Sequence, residues 1–253
     1  MLGKTAAFWL ILASVAAAQS DEDKKKEEEA KAKIADFKKE LKGAKTDKDV
    51  TRAIEGLGAL QHPKIMAELK TYLGRSPDEA AAAAEQIGKY KKDKEAADTL
   101  LSAAGSRKDK DTIVSCLRYA GDTEFKGIVS KLTGYFRNKE VDVAKESVDS
   151  CAKVKSKDAI EPLLALWKEL DAIKEEKADK GGGGLGVGGI GGGGLTGAGG
   201  VGASMQEEQL KRKRDLTPAV ESALSKITGE DFKDLRSAND WWRKNKATFK
   251  DLE

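Results

Sequence analysis

The chain has 253 residues, of which 35% are charged and only 6% aromatic. Those proportions exclude a large aromatic-rich core and suit helices that each bury one stripe and leave long solvated faces. With 46 basic and 43 acidic residues the formal net charge is +3, a balance that exerts no strong pull toward nucleic acid or acidic lipid.

Residues 1–18 have the three-part plan of a secretory signal peptide. Lys4 supplies a positive start, and Thr5 to Ser14 form an apolar run around Phe8-Trp9-Leu10-Ile11-Leu12. Ala16-Ala17-Ala18 put small residues ahead of a cut before Gln19. An apolar run of about 14 residues falls short of the roughly 20 that cross a bilayer, so the expectation is export, to a periplasm or the extracellular space, without a membrane span. Residues 19–45 then form a charged lead-in helix. Glu22 and Glu27 stand four residues ahead of Lys26 and Lys31, the orientation that supports a solvated helix. Ile34, Phe37 and Leu41 make a thin apolar stripe, and Gly43 is the expected stop.

From Thr46 onward a helix-turn-helix pattern recurs. Thr46, Ser76, Ser106 and Asn138 are cap-type residues spaced by roughly 30, 30 and 34 positions. Each is followed by one apolar set (Ile54 and Leu57; Ala84 and Ile87; Val114 and Leu117; Val148 and Cys151). After a polar break comes a second set (Ile65 and Leu69; Ala96 and Leu100; Phe125 and Val129; Ala159 and Leu163). Asp93, Asp122 and Asp158 stand where second helices should start, and Pro63 marks that turn in the first unit. Strands are not expected, because Val, Ile and Thr nowhere alternate with polar residues over a long run. A fixed period of this size signals stacked repeats, since a two-helix unit cannot bury its own stripe. Ala80 to Ala84 in the second unit predict close helix approach with little area buried per contact. The last helix of this 46–180 region is expected to overrun to about Lys180.

These repeats resemble the HEAT-type α-solenoid family, including the short repeats seen in phycobilin lyase-like proteins. The resemblance covers about half the chain. It implies an all-α fold: a right-handed α-solenoid of about four helix pairs, a binding scaffold rather than a catalyst.

Residues 181–204 are two-thirds glycine and uncharged. A phosphate-gripping loop would need a Gly-Lys-Ser/Thr ending and a preceding strand, and a GxxxG membrane helix would need more apolar content. A flexible linker fits best, with a reach of roughly 25–30 Å. The 205–253 segment is expected to be a C-terminal helical cap, its first helix starting at Thr217-Pro218 and its last opening at Ser237 or Asn239. Thr228, Gly229, Asp231, Phe232, Asp240, Trp241 and Trp242 resemble the closing element of secreted bacterial HEAT-like proteins, from which the glycine insert departs. Trp241 and Trp242 are the candidate binding residues of the chain, as an aromatic platform for a flat ligand. The competing reading buries them to close the array end. Two consecutive helical positions lie about 100° apart, so one indole should anchor and the other lie at the boundary, with Phe232 and Val220 or Leu224 as neighbours.

Catalytic chemistry is sparse. His62 is the single histidine, in an interhelix turn, and Cys116 and Cys151 lie some 35 positions apart without metal-ligand spacing. The Lys211 to Arg214 run reads as a solvated face rather than a phosphate site. The expectation is a non-enzymatic scaffold for a protein partner, with no cofactor, metal or nucleic acid. Two alternatives stand beside it: a binder of anionic polymer or the envelope surface through Lys-rich faces, and a lyase-like short-repeat enzyme.

Overall fold

The computed structural model describes residues 4–173 and 199–251. Most of the expected linker, 181–198, lies outside the described residues, as does 174–180 of the expected overrun. Among the described residues the chain forms eleven α-helices, two short 3-10 turns and no strand, an all-α fold. It divides into two compact units, Met1–Ile128 and Val129–Glu253.

The first unit holds α1 (Lys4–Gly43), α2 (Asp47–Leu57), α3 (Pro63–Lys70), α4 (Pro77–Gly88), α5 (Lys94–Ser106), α6 (Lys110–Asp122) and a 3-10 turn, Lys126–Ile128. Helix starts follow the cap chemistry. Thr46 and Asp49 cap each other reciprocally: the Asp49 amide donates to Thr46 Oγ1 at 3.2 Å and the Thr46 amide to Asp49 Oδ2 at 3.1 Å. Ser76 accepts from the Glu79 amide, with Pro77 at the first helical position. Asp93 accepts from the Ala96 amide at 2.8 Å. Ser106, an expected cap, instead ends α5, donating its hydroxyl to the Ala103 carbonyl. Ala104 is buried and draws the helix on, and Gly105 costs only about 1 kcal/mol inside a helix. Asp109 caps α6, accepting from the Thr112 amide at 2.9 Å. Asp122 likewise closes α6 rather than opening the next helix. The chain then turns at Glu124 (φ 58°) into the short 3-10 segment.

In this unit α2 packs on α4 and α4 on α6, while α3 and α5 lie against α4 and α6. Ile54, Leu57, Ile65, Leu69, Ile87, Leu100 and Leu117 are buried, whereas Leu60, Val114 and Phe125 are half-buried. The backbones of α4 and α6 nearly touch: a Cβ placed on Gly88 would lie 2.9 Å from Tyr119 Cβ and 3.0 Å from the Tyr119 carbonyl oxygen. Helix α1 packs on α2 and α3 through buried Ala30 and Phe37, and the Phe37 ring meets Tyr72 edge-on at 5.6 Å. The expected Glu22–Lys26 and Glu27–Lys31 pairs form at 2.7 and 2.9 Å, and Lys64 also reaches Glu27 at 2.6 Å.

Successive turns are tied edge to edge. Gln61 Nε2 donates to the Lys89 carbonyl at 3.1 Å, the His62 amide donates to Tyr90 Oη at 2.9 Å, and Tyr90 Oη donates back to the His62 carbonyl at 3.0 Å. One pair further on, the Lys92 amide donates to the Thr123 carbonyl at 2.6 Å, and Lys91 Nζ donates to the Asp122 carbonyl and pairs with Glu124 at 3.0 Å. Lys92 (φ 57°) and Glu124 (φ 58°) adopt the left-handed conformation usually left to glycine or asparagine.

The second unit holds α7 (Val129–Thr133), α8 (Val141–Val154), a 3-10 turn Lys157–Ala159, α9 (Ile160–Asp171), α10 (Gly199–Thr228) and α11 (Leu235–Asn245). Asn138 lies ahead of α8, where its side chain accepts from the Glu140 amide at 2.9 Å. Ser156, not Asp158, caps the second turn, accepting from the Asp158 amide at 3.3 Å. Helix α10 packs on both α8 and α9, and α11 packs on α9. The helix start expected at Thr217-Pro218 does not occur, since Pro218 lies inside α10. Proline removes one amide and disturbs one turn, but buried Leu216, Ala219, Val220, Ala223, Leu224 and Ile227 hold a continuous stripe across it. Helix α10 ends at Gly229 (φ 77°), whose amide donates to the Ser225 carbonyl at 2.8 Å. Asp234, earlier than expected, caps α11, accepting from the Ser237 amide at 2.7 Å.

Candidate binding surfaces

Trp241 and Trp242 sit on α11 in a cluster of four rings. The indoles stack at 6.3 Å with 21° between planes; Phe232 meets Trp241 edge-on at 5.7 Å, and Phe249 meets the two indoles at 5.6 and 5.9 Å. Trp242 is 8% exposed and its indole N–H donates to Glu161 Oε1 on α9 at 3.3 Å, while Trp241 is half-buried. One ring is thus held inward and one lies at the boundary. Phe232 packs on Trp241 rather than on the inner indole. Lys246 also pairs with Glu161. Its ammonium, followed by the Trp242 N–H, holds the Glu161 carboxyl below its usual range. The arrangement pins α11 to α9 and leaves Trp241 half-buried.

A different surface opens on the first unit. Asp47, Lys48, Thr51, Arg52 and Glu55 of α2 form one wall of a groove of about 460 Å³. Asp78, Ala81, Ala82 and Glu85 of α4, with Tyr119 of α6, complete it. Its floor is low because two alanines occupy it. The alanine run that lets α2, α4 and α6 approach also leaves no bulk above the contact. At one end Tyr119 Oη donates to Glu85 Oε2 at 3.4 Å. Burial, then the Glu85 charge, push the Tyr119 phenol up, so the ring stays neutral beside the carboxylate. Sequence reading missed this groove because its charges look like an ordinary solvated helix face. The available signal was the i, i+4 set Asp47, Thr51 and Glu55 recurring one period later as Ala81 and Glu85.

The remaining candidates for chemistry have structural duties. His62 caps α3, its Nδ1 accepting from the Lys64 amide at 3.2 Å. Cys116 and Cys151 are buried free thiols, each pushed by burial up to about 12, which leaves them protonated and poorly nucleophilic at neutral pH. Arg212, expected in a solvated basic run, donates to the Asn138 carbonyl at 2.6 Å and to the Phe136 carbonyl, and Lys213 Nζ reaches the Ile173 carbonyl at 2.9 Å. Long basic stems thereby satisfy carbonyls beyond the ends of α7 and α9. Among the described residues no group of three or more His, Cys, Asp or Glu side chains is arranged to hold a metal ion, and no helix is long and apolar enough to cross a membrane. In comparisons with known proteins the chain matches no family model and no curated protein.

Proposed function

We propose that the chain is an exported, non-catalytic helical-repeat scaffold. In this reading the helix pairs from Thr46 onward stack as a right-handed HEAT-like α-solenoid. The 205–253 segment caps it, and a protein partner lies along the first helices. The observation that carries the proposal is the groove over α2, α4 and α6, lying on helices whose connecting turns are hydrogen-bonded from one pair to the next. A series of packed helices with an open, mixed-charge trough suits recognition of another chain. The commitments of His62, Cys116 and Cys151 described above speak against nucleophilic or acid–base chemistry. Arg212 and Lys213 are occupied with carbonyls, which speaks against a phosphate-binding role for that run.

Two measurements test the proposal. The wild-type chain and an Ala81→Arg/Thr51→Arg variant are each used to capture partners from the envelope or extracellular fraction, with far-UV circular dichroism confirming that the variant folds. A protein partner held by the wild type and lost by the variant supports the scaffold reading, and capture indifferent to the filled groove refutes it. Export is tested by intact mass: the exported chain should begin at Gln19, and a mass retaining residues 1–18 contradicts the signal peptide.

A further inference from the structure

The groove has an electrostatic pattern that specifies what lies in it. Asp47 and Asp78 stand in the first turns of α2 and α4. At the opposite end stand Glu55 and Glu85, beside the Tyr119 ring. Asp47, Glu55 and Asp78 have no ion-pair partner among the described residues, and Glu85 has only Lys89 at 3.9 Å. Lys48 and Arg52 lie between the two acidic ends, on the α2 wall alone. Two carboxylates therefore line each end of the trough, and the Tyr119 ring lines the second beside Glu85.

We propose that this groove binds an extended segment of a partner protein carrying two basic side chains, one seated at each acidic end. The inference rests on the scaffold reading and names the chemistry of the partner segment. Spacing follows from the helix: eight residues separate Asp47 from Glu55, or about 12 Å at the α-helical rise. An extended chain covers that distance in three to four residues at about 3.3 Å each, so the two cations stand three or four positions apart. Lys48 and Arg52 between them favour a neutral or acidic residue in the middle of the segment. An arginine suits the Tyr119 end, where its guanidinium meets both a carboxylate and a ring face.

The test uses the full chain and fluorescein-labelled, end-blocked peptides in anisotropy titrations. The probe is an eight-residue peptide with lysine and arginine four positions apart and an aspartate between them. Its controls replace both basic residues by glutamate or by glutamine. The basic peptide should bind, and the Glu55→Gln/Glu85→Gln variant should weaken it by about tenfold or more and flatten its salt dependence. Glu95→Gln on α5, away from the groove, should leave it unchanged. Binding that survives the groove substitutions, equal binding of the acidic peptide, or no binding overturns the proposal. So does a concentration-dependent dimer of the chain abolished by the same substitutions, which assigns the groove to a second copy. If the basic peptide fails while partner capture still depends on Ala81 and Thr51, the scaffold reading survives and this inference falls.

Discussion

The sharpest test of the packing is a single methyl group at Gly88. Glycine inside a helix ordinarily costs about 0.5–1 kcal/mol relative to alanine, so a packing-blind expectation is that Gly88→Ala stabilises. The structure reverses the sign. The new Cβ would lie 2.9 Å from Tyr119 Cβ, 3.0 Å from the Tyr119 carbonyl oxygen and 3.3 Å from Tyr119 Cα. Carbon atoms at rest in a protein interior sit about 3.5–4.0 Å apart, so α4 and α6 would have to separate by several tenths of an ångström. The atoms met belong to backbone or Cβ, which no rotamer change can move aside. Overpacking of this kind costs about 1–3 kcal/mol, which offsets the propensity gain and leaves a net loss of up to about 2.5 kcal/mol. Gly56→Ala is the matched control: Gly56 lies in α2 with nothing within 4 Å of a Cβ, and there the gain should appear undiminished. The assay is urea denaturation followed by far-UV circular dichroism, with amide exchange over α4 and α6 to localise the effect. If Gly88→Ala stabilises as much as Gly56→Ala, the close approach of α4 and α6 is wrong.

Leu117 is fully buried, and Leu117→Ala should cost roughly 2–5 kcal/mol in the same assay; an unchanged curve would place Leu117 outside the core. Trp242→Ala should cost about 3–5 kcal/mol and Trp241→Ala clearly less, and in the chain beginning at Gln19, which lacks Trp9, with Trp167 replaced by phenylalanine, iodide should quench Trp241 more than Trp242. The Glu161 carboxyl is held low in the folded chain, so its contribution is present above the unfolded-state pKa and is lost as pH falls through the folded value. Acid should therefore loosen α11, read as a shift in Trp242 emission, and Glu161→Gln should remove that step. Cys116 and Cys151, with thiols raised to about 12, should resist a disulfide reagent at pH 8 until the chain unfolds, and rapid labelling of the native protein would contradict their burial.

Helices were legible wherever a strong start signal coincided with an apolar stripe, as at Thr46, Ser76-Pro77 and Asp93. They were misplaced where several acceptors compete. Between Gly105 and Thr112 the sequence offers Ser106, Asp109 and Asp111, and the winner was decided by how far Ala104 remained buried, a tertiary fact. Pro218 misled in the opposite sense, because the apolar face on both of its sides outweighed one missing amide. The turns at Lys92 and Glu124 carry no local signal, since nothing in a lysine or glutamate announces a left-handed backbone. In that conformation the Lys92 amide donates to the Thr123 carbonyl of the next turn, and the Glu124 amide to the Gly121 carbonyl of its own. The groove depends on what is small, Ala81 and Ala82, and small residues advertise packing rather than the space they leave above it. The outcome at the two tryptophans was the most predictable, because adjacent helical positions cannot face the same way.

The tied turns give the first unit a mechanical character. At one edge, the bonds from Gln61 and His62 to Lys89 and Tyr90, and from Lys91 and Lys92 to Asp122 and Thr123, bind consecutive helix pairs like the sewn spine of a book. At the other edge the loops close on themselves, the Arg75 amide on the Tyr72 carbonyl and Arg107 on Asp109. Tension along the stack is therefore resisted at the spine, whereas bending fans the pages apart at the free edge. On the scaffold reading, such a unit would change its curvature while keeping the spacing of its turns fixed, as a leaf spring does and a rod does not.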